Sequence, residues 1–155
     1  MPFEFVKPVV NLSVRKLCIR PYPLHPKGCP NYNKKEGCPP KSLIISKILN
    51  LNKKCYVIWN VFNFDKHCQR MKQLHPNWKK KQVECCLYWQ NKARNQLELE
   101  ILKFRQKHPN QLILKVPESH GVNVTATMKK VGIELEWPPK TKTYQVAIAG
   151  VKLWK

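Results

Sequence analysis

Three cysteines stand in one proline-rich stretch, Cys18-Ile-Arg-Pro-Tyr-Pro-Leu-His-Pro-Lys-Gly-Cys29-Pro-Asn-Tyr-Asn-Lys-Lys-Glu-Gly-Cys38-Pro-Pro40. The stretch holds three of the seven cysteines and six of the thirteen prolines. Each proline fixes φ and removes a backbone donor, so neither a long helix nor a central strand fits here. Aliphatic residues are scarce, so something other than core packing must hold the loop. Thiolates are good ligands for zinc and for iron–sulfur clusters. The tripeptide Gly-Cys-Pro occurs twice, at Gly28-Cys29-Pro30 and Gly37-Cys38-Pro39. The glycine lets backbone approach a bulky inorganic group. A Cys-Pro pair also closes the ligand run of bacterial ferredoxins.

The spacings are Cys-x10-Cys and Cys-x8-Cys. They are not the close Cys pairs of zinc ribbons, which favours a cluster over zinc. Cys18, Cys29 and Cys38 are read as holding a [4Fe–4S] cluster. The fourth iron would stay open for a substrate or take a further ligand from His25, Cys86 or Cys85. The zinc alternative is Cys18, His25, Cys29 and Cys38, and the plain alternative is three ordinary thiols.

The charge points to a partner. Lys and Arg number 29 against 9 acids, for a net charge of +20. Such a field attracts nucleic acid or another polyanion, although a merely solvated surface is the plain reading. Trp78 with Lys79, Lys80 and Lys81, then Tyr88, Trp89, Lys92 and Arg94, interleaves cations with aromatic rings. That pattern suits phosphate neutralisation and base stacking. Helix-turn-helix, zinc-finger, RNA-recognition, Walker, dinucleotide-binding and nucleophile-elbow signatures are all absent. Glu118 and His120 could serve acid–base chemistry if they lay beside the cysteines. His75-Pro76 and His108-Pro109 read as helix ends.

No apolar run is long enough for a transmembrane helix, and no secretory signal is visible. A cytoplasmic, reducing location is expected, with the odd number of cysteines serving as ligands and thiols.

The elements that must position these groups follow from periodicity. A single domain over 1–155 is expected, with 18–40 as its metal-binding loop. Residues 9–18 read as an extended lead and 42–49 as a short helix capped by Ser42. The strongest strand is 55–64, apolar on both faces. Asp65 caps a helix over 66–74. One long helix runs from 77 or 78 to 107, with Val83, Cys86, Gln90, Ala93, Leu97, Ile101 and Phe104 on one face. Strands follow at 111–116, 133–137 and 144–153, with a helix at 118–131. The expected fold is α/β or α+β, a small mixed sheet with one long and several short helices packed on it.

Cys18, Gly28-Cys29-Pro30-Asn31-Tyr32 and Cys38-Pro39-Pro40 together resemble a family of uncharacterised, predicted metal-binding proteins of bacteria and archaea. The later Gly121-Val-Asn-Val-Thr-Ala-Thr127 with Gly132 is similar to that family's second signature. The resemblance implies metal binding by the three cysteines and says little about a reaction. Three readings stay open: a cluster protein acting on or bound to an anionic partner, a non-enzymatic nucleic-acid-binding module with a structural zinc or cluster, and an electron carrier.

Overall fold

The longest apolar run becomes the middle of the sheet. A computed structural model describes residues 2–21 and 25–154. Residues 22–24 of the expected loop lie outside the described set. Four strands, β1 (Phe3–Phe5), β2 (Cys55–Phe62), β3 (Leu112–Leu114) and β4 (Thr143–Gly150), form one sheet in the order β1-β2-β4-β3. Every pairing is antiparallel, so the fold is α+β and the expected mixed sheet is corrected. β2 and β4 pair over their full lengths, from Cys55 opposite Gly150 to Phe62 opposite Thr143.

Side chains alternate across β2 and build two cores. Ile58 joins Ala147, Ala149, Leu97, Ile101 and Phe104 on one face. That face is covered by α3 (Gln90–Lys107), and its apolar seam at Ala93, Leu97, Ile101 and Phe104 is buried as the periodicity predicts. Val57, Val146 and Ile148 face the other way, against Ile45, Leu49, Val122, Val124 and Met128. A third cluster of Phe62, Phe64, Trp89 and Ala93 extends the α3 side.

Asn60 is a buried polar group on the α3 side. Its amide donates to the Ala93 carbonyl at 3.0 Å and to Gln96 at 3.2 Å, and its oxygen accepts from the Gln145 amide at 3.0 Å. Asn60→Leu would leave the Gln145 N–H without this partner, for an expected loss of about 1–3 kcal/mol. Urea unfolding would measure it, and an unchanged midpoint would refute the bridge.

Several expected elements differ. Residues 9–18 are not extended, because Leu12–Ile19 forms a 3₁₀ helix. Asn11 starts it by accepting from the Ser13 amide at 3.1 Å. The helix expected over 42–49 shrinks to one turn, Ile45–Lys47, and the Ser42 hydroxyl is used elsewhere. Helix α1 (Phe64–Leu74) is capped by Asn63, which accepts from the Lys66 amide at 2.9 Å, and not by Asp65.

The single long helix is broken. α2 (Lys80–Val83) ends, a 3₁₀ turn at Cys86–Tyr88 follows, and α3 begins at Gln90. The break swings Trp89 inward, where its ring stacks on Phe62 at 5.4 Å and its indole N–H donates to the Glu84 carbonyl at 3.3 Å. The expected helix at 118–131 is two pieces: a turn at Pro117–His120, and α4 (Val124–Lys130) capped by Asn123. Gly121 separates them with φ +84°.

Residues 133–137 form no strand. Ile133 and Leu135 pack on the core, but their backbone does not join the sheet. Glu136 instead accepts from the Thr141 hydroxyl and from the amides of Thr141 (2.8 Å) and Lys140 (2.9 Å). These bonds, the hydroxyl first, pull its carboxyl down to about 2.

Candidate metal centre

The cysteine loop is tied at both ends to the turn Pro117–His120 and to Gly121. On one side Val10 bridges Val122, and the Asn11 amide donates to the Gly121 carbonyl at 2.8 Å. On the other, the Ser42 hydroxyl donates to the Ser119 carbonyl at 2.7 Å, and His120 Nδ1 donates to the Leu43 carbonyl at 2.6 Å. Arg15 crosses between them, donating to the carbonyls of Ser42 at 2.6 Å and Pro40 at 3.2 Å. Residues 119–122 therefore lie against the segments that flank the cysteine loop.

Cys18 lies in the last turn of the 3₁₀ helix, and its carbonyl accepts from the Cys29 amide at 2.7 Å. Gly28 makes that approach possible. It has φ +85°, and a Cβ there would stand 2.5 Å from the Cys18 oxygen and 2.8 Å from the Ile19 backbone. Neither contact can be relieved by a side-chain rotation. Gly28→Ala is expected to open the Cys18–Cys29 hydrogen bond and speed amide exchange at Cys29 by at least roughly tenfold, the factor for about 1.4 kcal/mol of strain. Unchanged exchange would show that the loop closes some other way.

Cys29 and Cys38 are held by short turns. The Tyr32 amide donates to Cys29, the Cys38 amide to Lys35 and the Ser42 amide to Cys38, at 3.2, 3.1 and 3.0 Å. Asn33 takes a left-handed conformation, φ 58°, and its amide donates to the Pro39 carbonyl at 2.7 Å. All three cysteines are half-buried and in no disulfide.

The thiols share one electrostatic environment. Burial pushes the Cys18 thiol up first, and negative charge at Cys29, Cys38 and Glu118 adds to it. Glu118 thus adds to the negative charge felt at Cys18, across about a hundred residues of sequence. Its own carboxyl is pushed up by the surrounding protein. The residue itself is exposed, so the carboxyl keeps access to water. Among the described residues, no three His, Cys, Asp or Glu side chains converge on a point that could hold a single metal ion. His25 belongs to the same loop, and its carbonyl accepts from the Gly28 amide at 3.1 Å.

The other thiols are elsewhere. Cys85 and Cys86 precede α3, on the opposite face of the sheet from the loop. Cys86, expected on a buried helix face, is exposed. Cys55 is buried against the Lys53 carbonyl at 3.7 Å, and Cys68 packs beside Phe62, Phe64 and Trp89.

The aromatic and basic residues of the sequence also gather on the α3 side. Lys79, Lys80, Lys81, Lys92 and Arg94 are exposed. Trp78 is half-buried between His75, stacked at 3.8 Å, and Tyr88, tilted at 5.0 Å. Trp89 is core, and Tyr88 is exposed. The sequence offers Glu118 as a partner of the cysteines only if the two segments meet, and it does not pair His75 with Trp78. For His75 the i, i+3 spacing across Pro76 was a usable signal, whereas no local signal exists for Glu118.

No family model, curated protein or solved structure matches the chain.

Proposed function

We propose that this protein carries a metal centre on Cys18, Cys29 and Cys38, a [4Fe–4S] cluster with one iron left without a loop thiolate, and engages an anionic partner such as nucleic acid. The supporting observation is the arrangement of the three thiols. All three are half-buried and in no disulfide, and the Cys29 amide donates to the Cys18 carbonyl at 2.7 Å. An all-thiolate donor set in which each sulfur can bind its own iron suits a cluster.

A cluster of this kind belongs in a reducing compartment, the cytoplasm. Among the described residues no helix is long and apolar enough to cross a membrane. The second reading is a zinc site of Cys18, His25, Cys29 and Cys38 that only pins the loop of a binding module, favoured by His25 lying within one turn of Cys29. An electron-carrier role would require a reversible one-electron couple.

Purification without oxygen, a visible spectrum and a count of iron, sulfide and zinc test this. Brown protein with about four irons and four sulfides is expected. Colourless protein with one zinc would replace the cluster by the structural site. Absence of both metals would end the metal reading.

A further inference from the structure

Across the sheet from the cysteine loop, the segment joining α1 to α3 carries an exposed stack of rings. α1 is closed by its C-cap His75, whose amide donates to the Met71 carbonyl at 2.8 Å. The Trp78 amide then donates to the His75 carbonyl at 3.0 Å, closing a tight turn over Pro76 and Asn77. That turn lays the His75 imidazole flat on the indole, with ring centroids 3.8 Å apart and planes 9° from parallel. The 3₁₀ turn at Cys86–Tyr88 brings Tyr88 to the same indole at 5.0 Å. Trp78 thus meets both rings, His75 stacked and Tyr88 tilted by 36°. His75 and Tyr88 are exposed, and Leu87, next to Tyr88 in sequence, is 80% exposed. Nothing in the fold requires so much ring surface to face water.

The charge around the stack has one sign. Residues 65–94 contain eight Lys and Arg against two acids, Asp65 and Glu84. Lys79, Lys80 and Lys81 leave Trp78 directly, and Lys72 lies one turn before His75 on α1. Among the described residues, only Lys80 of the three consecutive lysines has an acidic partner, Glu84 at 3.9 Å, and that pair is largely solvated. Exposed ring faces beside unneutralised cations are what a strand of unpaired bases needs, since bases stack and phosphates are neutralised. A duplex offers its phosphates but hides its base faces, and a sulfated polysaccharide has none.

We propose that the His75–Trp78–Tyr88 stack and the adjoining Lys79–Lys81 run form a binding site for single-stranded nucleic acid. A base extends the stack on an outer ring face, and the lysines take the flanking phosphates. This names the anionic partner of the function proposed above, and the site lies wholly outside the cysteine loop.

Fluorescence anisotropy with a labelled twelve-nucleotide single strand tests it, using anaerobically purified full chain. The same sequence as a duplex and heparin serve as competitors. The single strand is expected to bind more tightly than the duplex. Tyr88→Ala and His75→Ala should each weaken it about 5- to 150-fold, the range for loss of one stacked base. Tyr88→Phe should keep binding, because the ring face and not the hydroxyl is used. Replacing Lys79, Lys80 and Lys81 together by Ala should flatten the salt dependence by about 2 logarithmic units per decade, at about 0.7 per lost phosphate contact. Circular dichroism of each variant confirms folding, which these exposed positions should not disturb.

Equal affinity for duplex and single strand, unchanged by both ring substitutions, would mean diffuse charge attraction and overturn the site. So would the absence of binding, or binding to heparin alone. Cys29→Ser is titrated in parallel. If the metal reading fails but this site is real, binding persists in a protein without iron. If only this site fails, iron is present and the ring variants behave like wild type.

Discussion

Cys29→Ser is expected to leave an anaerobic purification colourless, with iron and sulfide reduced to roughly a tenth of wild type or less, since a serine hydroxyl is a poor substitute for a soft thiolate ligand. Cys29 is the informative choice among the three. Its amide holds the Cys18 carbonyl and its own carbonyl accepts from Tyr32. Serine preserves both backbone contacts, so the substitution removes a sulfur and leaves the loop's hydrogen bonds intact. Cys86→Ser is the matching control. That thiol is exposed on the α3 side, and its loss should leave the metal count unchanged. Full iron and sulfide in Cys29→Ser would sink the cluster assignment, and loss of metal in Cys86→Ser would place the ligands elsewhere. Metal release should also lower the unfolding temperature, because a site absent from the unfolded chain couples binding to folding.

The largest stability effect is expected at Phe104. Its side chain has no solvent exposure and sits where α3 meets β1 and β2. The ring meets Phe3 edge-on at 5.1 Å, Tyr56 at 5.4 Å and His108 at 4.7 Å. Phe104→Ala removes these contacts and leaves a cavity that the surrounding elements cannot all collapse to fill. A loss of about 3–5 kcal/mol is expected, a large share of the roughly 5–15 kcal/mol that holds a domain together. For a chain of this size the unfolding temperature should fall by roughly 6–20 °C. A loss under about 1 kcal/mol would show that the ring does not sit at this junction.

Strand β2, strand β4 and the buried seam of α3 were legible because each is long enough for its period to show. β1 was not, since Phe-Glu-Phe is three residues long and acquires its identity only by pairing with Ile58, Val57 and Tyr56. The helix from 77 to 107 fails at Cys85–Trp89 because burying one indole against Phe62 and Phe64 outweighs helical continuity. Ile133 to Trp137 alternates as a strand does, yet a carboxylate engaged by Lys140 and Thr141 and two prolines direct that backbone into a turn. In the site, the nearness of three thiols is local and follows from the turns that the glycines and prolines permit. The approach of Glu118 to Cys18 is not local. It arrives through a hydrogen-bonded seam of Asn11, Ser42 and Leu43 against Ser119 to Gly121, which no spacing rule anticipates.

The sheet's place between the thiols and the ring stack makes the molecule two-sided. A nucleotide resting on Tyr88 or His75 has a wall of paired strands between it and the sulfurs. Any chemistry at the sulfurs on that same nucleic acid must therefore involve a distant part of the strand, one that passes around the sheet's rim. Tethered to a surface by one side, the protein would still present the other to solution, so that occupancy of each could be read while its opposite is held fixed.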